Sequence, residues 1–425
     1  GHVGSGKIQG AVVAVSRYGK PVYFEAHGYS DLNTKTPMKL DSMFQMASST
    51  KPVTGVAAMI AMEKGLFEAD HEAQEFISSF SEIRVAVLTD PEGKDISPKF
   101  VWPSLDKNGK TPGRLLKLFG RIYGRLTKKY YGYVPSHRTV RVKRPVTIHD
   151  LLTHTSGLGS FGLGTAVSDW NKKPWETHLE QNTLASHVED VAKGPLDFQP
   201  GSRWMYSPGT GLDVVARIIE ITSGQQFNEF VQENIFDPLD MNETAFSIDK
   251  TQASRLMPMH GTNNFNDLIS LNQKDLEVVD IEKTHPSQGP NIQERGGGGL
   301  YSTVKDYQLF SNFLLDRKDK EGNPLISPMM HEFILKNRIP EKLLPLKLGP
   351  RLLDGYGWNL IGRLMIDNRQ AMSLTNNGEF GWAGAASTFF WVDLQKNLSG
   401  VLMTQFTGRD LNLANEFRAA SYSAL

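Results

Sequence analysis

In "FQMASSTKPVTG" the hydroxyl of Ser48 stands three residues ahead of the amine of Lys51. A serine hydroxyl becomes a nucleophile only when a base takes its proton, and a lysine can serve if burial keeps its amine neutral. Spacing alone selects nothing, because Ser104–Lys107, Ser247–Lys250 and Ser302–Lys305 share it. Context separates the four. After Ser48, "PVTGVAAMIAMEKG" reads as a helix of small and apolar residues, with Pro52 in its first turn and Gly65 at its end. If Ser48 opens that helix, positions i and i+3 share a face and the hydroxyl meets Lys51. The unpaired N–H groups of the helix start would then face an oxyanion. Ser104 lies in the polar run "PSLDKNGK", Ser247 in the loop-like "FSIDKTQ", and Ser302 reads as part of the cap of a helix from Val304.

Composition narrows the chemistry by exclusion. The 425-residue chain has no cysteine, which removes disulfides, thiolate metal sites and a cysteine nucleophile. Its 46 Lys and Arg balance 46 Asp and Glu, giving no reason to expect a nucleic-acid partner. No His-Glu-x-x-His occurs and the 11 histidines lack ligand spacing, so neither a metal nor another cofactor is expected. The Gly-x-Ser-x-Gly turn of α/β-hydrolases is absent, and the glycine run at 296–299 lacks the Lys-Ser/Thr pair of a phosphate loop. His154 in "THTSGL" reads as a hydrogen-bonded residue of a turn after a helix and not as a base for serine. No apolar run approaches the ~18 residues of a membrane span. The chain reads as soluble, with the cytoplasm favoured and room left for a removed leader.

The elements around these residues follow from periodicity and turn chemistry. Strands are expected at about 10–16 and 21–27, joined at Tyr18-Gly19-Lys20, and four more in the aromatic and β-branched stretches near the other end. The middle reads as helical, with Thr147 and Asp150, Thr210 and Asp213, and Thr303 and Asp306 as N-terminal cap pairs. Val304, Tyr307, Phe310 and Leu314 would share one face of the last helix. The expected fold is α+β: an antiparallel sheet built from both termini and flanked by helices, with a mostly helical domain inserted. Residues 1–70 and 290–425 would form the sheet domain and 71–289 the helical one. Within the latter, 110–144 carries eleven Lys or Arg and no Asp or Glu. The insert reads first as a solvated excursion whose basic side chains pair with acids elsewhere; in the alternative, Leu115, Leu118, Phe119, Ile122, Tyr123, Tyr130, Tyr131 and Tyr133 would give it an apolar face for the active-site mouth, a second subunit of a homo-oligomer, or an anionic membrane surface.

Five blocks, "SSTK", "TIHDLLTHTSGL", "QPGSRWMYSPGTGLDVVARIIEITSG", "RGGGGLYSTVKDY" and "FGWAGAASTFFWVD", stand in the order and spacing of the serine β-lactamase and penicillin-binding-protein-like superfamily. The chain most resembles the class C β-lactamase-like carboxylesterases (family VIII esterases) and related fungal acyltransferases. The resemblance implies a β-lactamase/transpeptidase-like fold with Ser48 as nucleophile and Lys51 as its activator. Tyr206 would share the serine proton with Lys51, and the glycine run would form a tight turn near the active-site floor. Trp382, Ala383 and Gly384 take the place of the family's Lys-Thr-Gly in binding substrate. The N–H groups of Ser48 and Ala385, the latter on a sheet strand, would form the oxyanion hole.

Two positions depart from the lactam-cleaving pattern. Pro208 stands where the family's Tyr-x-Asn has its asparagine, and Trp382 puts an apolar wall where a lysine would bind a carboxylate. The expected activity is therefore a serine carboxylesterase acting on neutral, apolar esters through a Ser48 acyl-enzyme. An acyltransferase passing the acyl group to an alcohol, a β-lactamase or DD-peptidase-like enzyme, and a catalytically silent binding homologue stay open as alternatives.

Overall fold

The computed structural model describes residues 1–89, 92–95, 137–159, 183–261, 294–348, 351–407 and 412–424, and the backbone of 277–279. At the turn after the first strand, Tyr18 and Gly19 take φ values of 51° and 72°, the left-handed pair that a two-residue hairpin needs. This joins β1 (Gly10–Arg17) to β2 (Lys20–Asp31), and β3 (Thr36–Pro37) follows along β2. The other end of the chain supplies β4 (Tyr356–Trp358), β5 (Arg363–Met365), β6 (Phe380–Ala383), β7 (Thr388–Asp393) and β8 (Leu398–Met403). Together they form one antiparallel sheet in the order β4-β5-β6-β7-β8-β1-β2-β3, so β1 and β8 join the two ends in its interior. This is the α+β architecture read from the sequence.

β7 and β8 are buried along their whole length because both faces are covered. Phe390 packs against Tyr307 and Phe310 of α5 (Val304–Asp316) on one face. On the other, Phe389 and Trp391 meet α6 (Leu413–Ser423) through Phe417 and Tyr422. Alternation along one strand thus feeds two separate apolar layers.

In α1 (Lys51–Glu63) residues 51–62 are all buried. Gly55 lets it approach the sheet side: a Cβ there would lie 2.7 Å from the Leu360 carbonyl. The helix ends as expected at Gly65, whose φ of 70° allows Gly65 N–H to bond Met62 and Leu66 N–H to bond Ala61. The middle of the chain contributes α2 (Ile148–Leu152), α3 (Leu184–Lys193) and α4 (Thr210–Ser223), with α1 packed on α4. Thr147 and Thr303 cap their helices as read. Thr210 does not: Gly209 is the cap of α4, and Asp213 is turned to other partners.

Of the basic segment, 110–136 lies outside the described residues, and with it the proposed apolar face. Its end is a strand, His137–Arg141, paired antiparallel with Arg84–Leu88, so this part belongs to a ladder and not to an excursion.

Near the site, β6 stops against the chain ahead of Ser48. A Cβ on Gly384 would lie 2.3 Å from the Met46 carbonyl and 2.3 Å from Thr388 Oγ1. Gly384→Ala must therefore push the strand end away from that turn. A shift near 1 Å should slow labelling of Ser48 by a fluorophosphonate about 10²-fold, with the fold retained by circular dichroism. Wild-type labelling by the variant would show that this contact does not set the geometry.

Candidate active site

Ser48 lies in a turn gripped from two sides. The strand Phe44–Gln45 pairs antiparallel with Tyr301–Ser302, and Met46 N–H donates to Leu300 O at 2.9 Å. Ala47 then takes φ 45°, a left-handed conformation that costs a non-glycine residue about 1–3 kcal/mol. One 3₁₀ turn, Ala47–Thr50, carries the chain into α1 at Lys51. Ser48 therefore precedes the helix instead of opening it. The i to i+3 approach survives because a 3₁₀ turn superposes those positions. Tyr307 OH donates to Ser49 O at 2.6 Å, Ser49 Oγ meets Thr388 Oγ1 at 2.9 Å, and Leu300 N–H donates to Thr50 Oγ1 at 3.1 Å.

Lys51 is 2% exposed, with Nζ 3.1 Å from Ser48 Oγ and 2.5 Å from Gly297 O, and it also donates to Pro208 O. Burial lowers its amine to about 7; the Asp213 charge opposes that shift and Arg295 adds to it. A neutral amine has two N–H bonds and one lone pair. Carbonyls only accept, so Pro208 and Gly297 take both N–H bonds and the lone pair is left for the Ser48 hydroxyl.

Tyr206 reaches Ser48 from another side. Its hydroxyl bonds Ser48, and Trp382 Nε1–H donates to its oxygen at 3.0 Å. Burial pushes the phenol well above its usual range, against the pull of those two bonds. Burial thus pushes the lysine down and the tyrosine up.

Around them stands an aromatic wall. Trp382 meets Trp358 edge-on with centroids 4.5 Å apart, and Tyr206 lies 5.0 Å from Trp382 and 4.7 Å from His154. His154 Nδ1 accepts the Ser207 N–H at 3.2 Å, and burial, then the Lys51 charge, holds the ring neutral far below its ordinary range. It supports the wall and does not touch Ser48 Oγ through that nitrogen. The ladder between β6 and β7 ends at Ala383 and Phe389. Ala385 falls in the following turn and not on a strand, because the chain reverses there with Gly384 N–H bonded to Thr388 O at 2.8 Å.

Of the rival serines, Ser302 is buried in its strand and bonds Thr244 Oγ1 at 2.7 Å, Ser247 is exposed, and Ser104 lies outside the described residues. One group went unread in the sequence. Asp213 is fully buried and accepts from Arg295 at 2.8 Å, from the Gly297 N–H at 2.9 Å and contacts His187 Nε2 at 3.2 Å. It holds Gly297, the residue whose carbonyl binds Lys51, by its N–H, and its carboxyl is kept well below the usual range by Arg295 and His187 despite burial. The acid looked like a first-turn helix residue, and Arg295 is 82 positions away. Among the described residues, no cluster of His, Asp and Glu could hold a metal ion.

The pattern of one family, Beta-lactamase, matches residues 1–423. This chain belongs to the beta-lactamase family. Among its relatives, the lovastatin esterase of Penicillium rubens is 26% identical over 94% of this chain and 89% of its own length. Acyltransferase calJ of Penicillium decumbens is 25% identical over 91% of this chain and 81% of its own. The same fold is seen in EstCE1, described as a hydrolase with promiscuous acyltransferase activity, at a TM-score of 0.71 and 19% identity over 99% of this chain and 95% of that one.

Asp213→Asn keeps the shape but leaves Arg295 without its charge partner. Stability should fall by about 3–5 kcal/mol in urea titration. Because the lost charge favoured the ammonium form, Lys51 should titrate below its midpoint of about 7. An unchanged midpoint by NMR would remove Asp213 from the site's electrostatics.

Proposed function

We propose that this chain is a serine carboxylesterase that cleaves neutral, apolar carboxylic esters through an acyl-enzyme on Ser48. The observation that carries the reading is the buried Lys51 Nζ, 3.1 Å from Ser48 Oγ and bonded to the Pro208 and Gly297 carbonyls, so that the neutral amine has its lone pair left for the Ser48 hydroxyl. Ser48 gives its proton to Lys51 and attacks the ester carbon. The N–H groups of Ser48 and Ala385 hold the oxyanion, a pair of donors typically important at about 2.7–4 kcal/mol each. The tetrahedral species collapses, the alcohol leaves with a proton, and water then repeats the sequence to free the acid. An alcohol in place of that water makes the same site an acyltransferase, the activity in the name of one relative. Trp382, Ala383 and Gly384 line the acyl side, and no ammonium group stands at 382 to hold a carboxylate. No helix among the described residues is long and apolar enough to cross a membrane.

Ser48→Ala should abolish turnover and the acyl adduct seen by intact mass on a p-nitrophenyl short-chain ester, without loss of fold. Lys51→Ala and Tyr206→Phe should each lower kcat by about 10²–10⁴-fold. The base must be neutral, so kcat/KM should rise as pH increases through about 7. A Ser48→Ala enzyme with wild-type turnover, or a profile flat across that range, would end the assignment.

Selectivity provides an independent check. With Pro208 and Trp382 replacing two lactam contacts, kcat/KM on the p-nitrophenyl ester should exceed that on a chromogenic cephalosporin. Equal or higher efficiency on the cephalosporin would contradict the substrate class.

A further inference from the structure

Trp382 was expected only as an apolar wall. It is 7% exposed, and its indole N–H ends on the hydroxyl oxygen of Tyr206 at 3.0 Å. An indole N–H donates and cannot accept, whereas the Pro208 and Gly297 carbonyls at the opposite end accept and cannot donate. These two fixed ends impose a direction on everything between them. With Lys51 neutral, Ser48 O–H points to Nζ, Ser48 Oγ accepts from Tyr206 O–H, and the Tyr206 oxygen accepts from Trp382. Without the indole donor, the phenol could equally turn its proton away and accept from Ser48.

We propose that Trp382 is a positioning residue whose indole N–H turns the Tyr206 proton toward the departing alcohol, so that Tyr206 protonates the leaving alkoxide, and steadies the negative charge this leaves on the phenol oxygen. The proposal rests on Ser48 being the nucleophile. In the step concerned, the bond between the acyl carbon and the alcohol oxygen breaks and its electron pair stays on that oxygen. The oxygen takes the Tyr206 proton. The phenolate recovers a proton from the Lys51 ammonium, which holds the one taken from Ser48 and lies 5.2 Å from the phenol ring centroid. Acyl-enzyme, alcohol, neutral lysine and neutral tyrosine result. The demand for this acid depends on the alcohol: a nitrophenolate departs without a proton, an alkoxide does not. The indole therefore matters for alkyl esters in particular.

Trp382→Phe removes the N–H and keeps a ring against Trp358. Acylation should be timed on an alkyl ester and a p-nitrophenyl ester of the same acid, with Ser48 occupancy read by mass. The alkyl ester should lose about 10²-fold more than the p-nitrophenyl ester, and in a Tyr206→Phe background the same substitution should add little to that difference. An equal loss on both esters, with Ser48 still acylated, overturns the proposal and leaves the nucleophile standing; no Ser48 adduct from either ester overturns the nucleophile itself. If Trp382→Phe does not fold, the wild-type enzyme still decides: acylation that falls steeply as the alcohol becomes less acidic contradicts proton donation, and a shallow dependence supports it.

Discussion

The site depends on an amine kept from water with no carboxylate among the described residues touching it. A lysine in contact with an acid would stay charged and inert as a base; a lysine in a wholly apolar pocket would be neutral but free to point anywhere. Lys51 meets neither fate because its neighbours are backbone carbonyls, which orient N–H bonds without supplying a full charge. Asp213 is placed one peptide further back, behind Gly297, and its charge is largely answered by Arg295. The carboxylate thus fixes the geometry while its field at Lys51 is weakened.

Much of the scaffold serves to hold Gly297 and the Ser48 turn against each other. Gly296 and Gly297 admit the close approach, since a Cβ at either would lie within 2.6 Å of a backbone oxygen of 212 or 209. Tyr307 from α5, Thr388 from β7 and Leu300, just ahead of the short ladder, each bond the Ser48 turn. The strained Ala47 is stabilised by contacts from three elements, which is how a conformation of this cost persists.

What could be read from sequence was whatever lies close along the chain. The Ser48–Lys51 pair, the Tyr18-Gly19 hairpin, the Gly65 terminus and the caps at Thr147 and Thr303 are local patterns, and strand patterns at both ends around a helical middle carried the sheet built from both ends. Unreadable were contacts in which one partner is distant or is backbone. Pro208 was noted for the amide it lacks, yet it acts through its carbonyl, a group every residue owns. Trp382 was read by its apolar ring, and its N–H acquires meaning only once Tyr206, 176 positions away, stands beside it. Asp213 fitted a helix-cap pattern by accident of spacing. Ala385 was placed on a strand by resemblance, whereas Gly384 starts the reversal one residue earlier.

The pairing of β1 with β8 has a bearing on how the molecule comes into being. Val12 lies opposite Met403, so the interior of the sheet closes a loop that contains almost the whole chain. Such long-range pairing forms slowly and only after its entropy of closure is overcome. The segment with Ser48 and Lys51 belongs to the first eighth of the chain, but β6 and β7, against which it packs, come from the final fifth. A chain interrupted before those strands would contain the reactive pair without the walls that keep lysine neutral. Its lysine would be charged and its serine unreactive, so partly made or clipped molecules should be silent and not leaky.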